Sequence, residues 1–492
     1  MEKDRLLPQE AVFAYSIENR INPIFHQHVR TRHLIVNHTP QTQVCMASNV
    51  NRMVTVIGLC VDAHGEIERF QIPGWIAEQK ASTPEMLFYA CGRFAGKYVI
   101  LVEEEDGTYL WGDATCTLQV NYAFLKENVC VSFSDKITAK AFELGESEIA
   151  KDIRKKGANN HPLPYELTMY NGVRALLPNH YLDLNARKSV RINLKIPTGQ
   201  APTSVDDVVD STLKLILNTA REYGKYYSFA CAVTSGNDSR VVYAVLSKLG
   251  LDQERFTFRH KGFTDATGDI AVPHQFICAD GKNHLIIDDM VAPEGFGERV
   301  REFLGNWQSP FFINLAYTYL QSFPNLAMTN GNIIGQTGQS YVTHAVPNGL
   351  VTPLFMRCKL HTGSYYAYRL LKDYTREIKT SGEASNRSNL FEWEIMIGRG
   401  CPMIGTVCDL YGITTLNIFN NYEILRLFVT VSRKARANKE LHKHFLKRIS
   451  PKLLEYPINP DYRMHWTKNC WIFFYLGTYA RYFYSELRRR IR

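Results

Sequence analysis

The residues Thr234-Ser-Gly-Asn-Asp-Ser-Arg240 break a run of small and β-branched residues that begins at Phe229 and resumes as Val-Val-Tyr-Ala-Val-Leu. A break of this kind can hold an anion. Small residues at Ser235, Gly236 and Ser239 let backbone N–H groups converge, their hydroxyls add donors, and a following helix adds the positive end of its dipole. Asp238 repels a bare phosphate, so its presence implies a Mg²⁺ between its carboxylate and the phosphate oxygens. No Gly-Lys-Ser/Thr follows, so this is not a Walker loop. The competing reading is a surface turn in which Asp238 or Ser239 caps the next helix.

The elements around the loop decide what it can bind. Helical spacing over Val205–Tyr223 precedes a strand at Tyr227–Val233. A helix over Ser239–Leu249, ended by Gly250, leads to a strand at Phe256–His260. A helix over Asp269–Ala279, with Pro273 inside it, leads to a strand at His284–Asp288. Strands alternating with helices imply a parallel sheet covered on both faces, whose ligands bind beyond the carboxyl ends of the strands. The loop follows the first of those strands. Mostly helices are expected from Ser309 onward.

The first part of the chain reads as β-rich. Val54–Val61 and Tyr98–Val102 are strands, the latter turning through Glu-Glu-Glu-Asp-Gly into Thr-Tyr-Leu-Trp, and Val120–Phe124 and Val129–Phe133 add two more. Lys195–Val205, with Pro197, Gly199 and Pro202, reads as a linker. The expected organisation is a layered β-sandwich-like domain over 1–194, a linker over 195–204, and an α/β domain with a doubly wound parallel sheet and a helical extension over 205–492. A chain of 492 residues exceeds one compact core.

The formal net charge is +9, much of it in Arg433–Arg448 and Arg481–Arg492. Eleven cysteines lie scattered with no Cys-x-x-Cys pair, which argues against a zinc site or a disulfide framework and predicts a reducing, cytoplasmic setting. No secretory signal is read at the N-terminus, and the apolar stretch Cys470–Ala480 is shorter than the ~20 residues a membrane span needs. Trp466–Tyr484 is rich in aromatics and runs into Arg-Arg-Arg-Ile-Arg. That pattern allows a peripheral membrane contact or a nucleic-acid strand, set against a final helix packed on the core with a solvated basic end, the reading favoured here. No named nucleic-acid motif is present. His442 and His444 stand too close on a helix to share one metal, and receive no site.

Thr234–Arg240 resembles the SGGxDS pyrophosphate loop of the asparagine synthetase-like family. Thr234, Ser235 and Gly236 stand for its Ser-Gly-Gly, and Asp238 and Ser239 match directly. Other segments follow in the family's order. Gly92–Ala123 resembles its amidotransferase-type N-terminal domain, and Asn171–Leu184 the segment before its synthetase domain. Asp269 resembles the acid that opens the second helix of that domain, and Asn438–Asn459 the C-terminal segment. The texture is similar to bacterial members found with polysaccharide or natural-product genes.

The resemblance implies ATP and Mg²⁺ as cofactors and an AMP-forming ligase. A carboxylate on a small molecule, glycan or peptide would attack the α-phosphate, and ammonia or an amine would then take the acyl group. Thr234, Ser235, Gly236, Asn237, Asp238, Ser239 and Arg240 would bind the nucleotide, with Phe258 beside the adenine by its backbone and Gly335 and Gly338 in a second loop. Asp238 would hold the metal, and Asp238 and Lys439 would be catalytic. The sequence also allows a homodimer.

Three departures stand against the family pattern. Glu2 occupies the place of the glutaminase Cys, and Cys45, Cys60, Cys91 and Cys116 cannot supply a thiol beside a free α-amine. Gln336, Gln339 and Ser340 replace the acids of the second loop. Asn459 falls where a Lys is expected, with Arg463 and Lys468 as nearby substitutes. Asp265, Asp288 and Asp289 read as loop and sheet-edge residues, and Glu394 and Asp409 as surface or packing residues. A catalytically silent scaffold or partner protein is the alternative function.

Overall fold

The computed structural model describes residues 6–157, 161–194, 203–329, 346–461 and 470–491, with side chains to residue 488. Twelve strands run through the first part of the chain. They are β1 (Tyr15–Glu18), β2 (Gln27–Arg30), β3 (Ile35–His38), β4 (Val44–Ser48), β5 (Arg52–Asp62), β6 (Phe94–Glu104), β7 (Thr108–Gly112), β8 (Asn121–Leu125), β9 (Asn128–Ser132), β10 (Arg174–Ala175), β11 (His180–Asp183) and β12 (Lys188–Arg191). They form two antiparallel six-stranded sheets in the orders β10-β8-β9-β1-β3-β2 and β12-β11-β7-β6-β5-β4. The sheets share one core, in which Ile17, Val36 and Val131 of the first join Val56, Ile57 and Leu101 of the second. Strands β5 and β6 are buried along almost their whole length. That burial explains why they read as unbroken apolar runs rather than as alternation. The predicted turn after β6 is present, closed by the Glu104 N–H on the Gly107 carbonyl.

The helix Val205–Gly224 starts at Ser204, whose hydroxyl accepts the Asp207 N–H. Its apolar stripe, including Val208, Val209, Leu215 and Ile216, is buried against β5 and the later helices. Beyond it lie β13 (Phe229–Ala232), β14 (Gln253–Arg259), β15 (Leu285–Asp288), β16 (Ala327–Thr329) and β17 (Thr415–Leu416). They build one parallel sheet in the order β15-β14-β13-β16-β17. The chain winds outward from β13 to one side and then to the other, so the fold is α/β with a doubly wound sheet. The order reverses at β13, where such sheets bind ligands. The sequence missed β16 and β17. At three and two residues they are too short to show a period, and they lie among helices.

Two buried ion pairs join the antiparallel sheets to the later helices. Lys97 Nζ of β6 lies 2.6 Å from both Asp409 oxygens, on the helix Cys401–Leu410. Arg191 of β12 grips Glu394 with two nitrogens at 2.6 and 3.0 Å, and Tyr374 and Asn179 donate to the same carboxylate. Glu394 sits in a π-helix, Phe391–Ile397, where α-helical spacing is expected. Both acids therefore pack the interior, in line with the packing reading. Asn421 continues the junction, donating to the Gly92 and Phe94 carbonyls, and the Trp393 indole donates to Ala114 O.

One buried and one half-buried histidine should make stability pH-dependent. His284 shares a hydrogen bond with Thr257 Oγ1 of β14 at 2.9 Å, and burial, with His274 nearby, pushes its pKa down to about 4. His161, stacked on His361, is pushed down to about 4 by burial and that neighbour. Both bind a proton more readily unfolded than folded, so the stability they confer is full above the unfolded value near 6.5 and is lost as pH falls toward 4. The urea midpoint is expected to hold above pH 6.5 and to drop between 6.5 and 4. His284→Gln should flatten part of that drop.

Candidate functional site

The loop Thr234–Gly236 leaves β13 at its carboxyl end and enters the helix Asn237–Lys248. The helix starts two residues earlier than the sequence predicts because Gly236, with extended backbone, takes the N-cap. Neither Asp238 nor Ser239 caps it. The Ser239 hydroxyl instead accepts the Thr234 N–H at 3.0 Å, and Thr234 Oγ1 accepts the Gly236 N–H at 3.3 Å. Those two backbone donors are thus engaged within the loop.

Ser235 has an internal partner. Its N–H and its hydroxyl both donate to Asp269 Oδ1, at 3.1 and 2.6 Å. Asp269 sits in the first turn of the helix Gly268–Ala279, which follows β14. The donors expected to face a phosphate hold a carboxylate in this structure, which sets a competitor against any incoming anion. The Gly268 N–H is taken by the Asp461 carboxylate at 2.6 Å.

Arg240 turns inward, away from the position expected of a nucleotide ligand. Its guanidinium is fully buried and donates to the carbonyls of Leu453, Tyr456, Pro457 and Ser235 at 2.8–3.0 Å. It lies over the Phe276 ring, and burial pushes its pKa down to about 10. By anchoring residues 453–457 it delivers Asn459 to the loop. Asn459, at φ 45°, donates its N–H to Ser235 O at 3.3 Å and receives the Ser235 hydroxyl at 3.3 Å. The position at which the family resemblance expects a Lys is thus beside the loop, with a neutral amide in it.

Asp238 projects from the first turn with its side chain 32% exposed, and the fully buried His442 places Nε2 2.9 Å from Asp238 Oδ1. His442 belongs to the helix Glu440–Ile449, and Lys439 stands at the N-cap of that helix, one turn earlier, in a left-handed conformation. His444 points elsewhere, to Asp206 at 2.9 Å. Sequence reasoning missed His442 because the pairing joins two helices far apart in the chain. Asn237 is only 2% exposed, and neither its Nδ2 nor its Oδ1 has a hydrogen-bond partner among the described residues.

Phe258 lies at the carboxyl end of β14, paired in register with Ile287 and packed edge-on against Phe256 at 4.8 Å. Asp265 and Asp288 pair with Arg259, and Asp289 with His260, which makes them sheet-edge residues. Gly335, Gln336, Gly338, Gln339, Ser340, Glu2, Arg463 and Lys468 lie outside the described residues. Among those described, no three His, Cys, Asp or Glu side chains converge to form a metal site.

A cleft of about 790 Å³ opens between the antiparallel part and the helix Pro310–Ser322. Phe311, at the start of that helix, lies 6.3 Å from His260, which follows β14, so the cleft is on the carboxyl-end side of the parallel sheet. Lys151, Arg154, Lys155 and Arg301 line it with Trp307 and Gln308, and so does Glu146, which pairs with Lys151 at 3.0 Å and leaves an excess of positive charge. Arg154 lies over the Trp307 ring at 5.3 Å. Trp307 Nε1 and Gln308 Oε1 are buried with no hydrogen-bond partner among the described residues. The cleft suits an anion with one further hydrogen-bonding group.

In the N-terminal part, Cys60, Cys91 and Cys116 are buried, and desolvation holds their thiols well above the ordinary range. Such thiols are inert as nucleophiles.

No protein-family model matches the chain, and no curated protein matches it in sequence. Among solved structures, the chain aligns with a glutamine phosphoribosylpyrophosphate amidotransferase from B. subtilis, complexed with ADP and GMP, at 10% identity. The alignment covers 69% of this chain and 72% of that one with a TM-score of 0.24, too loose an overlap to bear on function.

Proposed function

We propose that the chain is an ATP-dependent, AMP-forming amide ligase that binds its nucleotide at Thr234–Arg240 and uses ammonia or an amine, without glutaminase activity. The observation that carries this reading is the buried Asn237 amide in the first turn of the helix that follows the loop, which has no hydrogen-bond partner among the described residues. Leaving such a group unsatisfied costs about 1–3 kcal/mol, and a polar ligand at the helix N-terminus would relieve it. Asp238, partly exposed and the loop's own carboxylate, fits a Mg²⁺ shared with phosphate oxygens, since Mg²⁺ commonly takes one or two carboxylates and completes its shell with phosphates and water.

In this reading Ser235 releases Asp269 and turns its N–H and hydroxyl to the pyrophosphate, while the N-terminus of the Asn237–Lys248 helix adds its dipole. Mg²⁺ would neutralise charge on the leaving pyrophosphate. The substrate carboxylate attacks the α-phosphorus, the bond to pyrophosphate breaks, and the amine then displaces AMP from the acyl carbon. The anionic substrate occupies the cleft, held by Arg154 and Arg301 and oriented by the Trp307 N–H. Trp307→Phe keeps the ring and removes the donor. It is expected to raise the KM for the carboxylate about tenfold, a loss of about 1.4 kcal/mol, with kcat little changed.

Carboxylate-dependent ATP–pyrophosphate exchange tests the reading directly. A silent partner protein is the second reading, favoured by the internal partners of Ser235 and by Asn459 where a cation is expected, and it predicts no exchange with any carboxylate. Asn237→Ala separates the two roles of the loop. It should stabilise the ligand-free protein by about 1 kcal/mol, by removing an unsatisfied buried group. Under the ligase reading it also weakens nucleotide binding about tenfold in calorimetry.

A further inference from the structure

The helix Trp471–Ile491 ends the described chain, and only one side of it is covered. Tyr475 stacks on Phe355 with ring centroids 5.3 Å apart, Tyr479 lies 6.2 Å from the same ring, and Arg357 lies over Tyr482. Thr478 and Tyr482 are buried, and Glu486 packs against Gly363. These residues form the inner face.

The opposite side is apolar and open. Ile472, Phe473, Leu476, Phe483, Tyr484 and Leu487 are each 48–59% exposed, and Ala480 between them is exposed as well. Positions 472, 476, 480, 483 and 487 follow steps of four, four, three and four, which draws one line along the helix, and 473 and 484 lie beside that line. Single exposed apolar residues are ordinary, but a continuous stripe along about four turns is not. No described helix is long and apolar enough to cross a membrane, and the inner face of this one is occupied by protein.

Charge decides what covers the stripe. From Cys470 to Arg492 the sequence carries five arginines and one acid, Glu486, and that acid is turned toward Gly363 on the inner face. Arg481 and Arg488 are exposed, Arg488 lying over the Tyr484 ring at 5.0 Å. A second copy of the helix in either direction would offer these arginines no outward-facing carboxylate. An anionic bilayer surface offers both what the stripe lacks and what the arginines lack: an apolar layer at shallow depth and a sheet of negative headgroups above it.

We propose that this outer stripe docks the protein on anionic membrane surfaces, with the helix lying in the plane of the interface. The full chain should float with vesicles of phosphatidylcholine and phosphatidylglycerol at 7:3. Binding to vesicles of phosphatidylcholine alone should be at least tenfold weaker, and 0.5 M salt should release much of the bound protein. Leu476→Glu/Phe483→Glu alters outer residues only and should abolish flotation while leaving the urea midpoint unchanged. Arg481→Gln/Arg488→Gln should cut binding at least tenfold. Flotation that survives Leu476→Glu/Phe483→Glu would overturn the proposal. So would failure of the full chain to bind the mixed vesicles, including the case in which sedimentation shows a dimer that this double variant dissociates, since a second copy would then cover the stripe.

Discussion

Replacing Lys97 by methionine is expected to destabilise the protein by about 3–5 kcal/mol, the usual cost of stripping one partner from a buried ion pair. The ammonium touches both Asp409 oxygens at 2.6 Å and the Thr415 hydroxyl at 3.1 Å, and both charged side chains are almost fully buried. Without it, Asp409 has no cation to offset desolvation, which already pushes its carboxyl up to about 7. The variant can escape part of the penalty by protonating Asp409, so the loss should be smaller at pH 6 than at pH 8.5. Methionine keeps the volume and the contact with Phe13, over whose ring Lys97 lies at 5.0 Å. Lys97→Met/Asp409→Leu should therefore recover most of the loss. Urea titrations of the three variants at both pH values check this. A Lys97→Met loss below about 1 kcal/mol, or one independent of pH, would contradict the assignment of this pair to the junction between the antiparallel sheets and the later helices.

Asp238→Asn is expected to lower ATP–pyrophosphate exchange about a thousandfold, close to 4 kcal/mol of barrier, while changing stability by less than about 1 kcal/mol. The amide matches the carboxylate in shape but binds Mg²⁺ far more weakly. The fold should tolerate it because the side chain is partly exposed and makes no N-cap bond, and an amide oxygen can still face the buried His442 Nε2 that lies 2.9 Å from the carboxylate. A raised KM for Mg·ATP with unchanged exchange at saturation would mean that Asp238 only helps binding. Unchanged exchange at all concentrations would remove Asp238 from the metal.

The strand, loop and helix around Thr234–Arg240 were legible because a β-branched run, a cluster of small polar residues and a helical period follow one another without ambiguity. The alternation of strands and helices then dictated a parallel sheet. Contacts between residues distant in sequence were not legible. Nothing local to Arg240 says that it holds the carbonyls of 453–457, nor does anything near His442 say that it reaches Asp238. The small neighbours of Ser235 point to a phosphate donor, but its partner Asp269 lies on the next helix of the sheet. The short strands β16 and β17 depend on pairing with a neighbour already in place, which no period in their own residues records. For the last helix, aromatic content announced packing. Only the structure shows that the packing uses one face and leaves the other bare.

Calorimetric titration of the full chain with ATP in excess Mg²⁺ tests the central claim most directly. The account predicts binding with a Kd below about 1 mM, lost when Mg²⁺ is chelated and weakened at least tenfold in Asp238→Asn. An absence of heat up to several millimolar nucleotide, or binding indifferent both to Mg²⁺ and to Asp238, would contradict it.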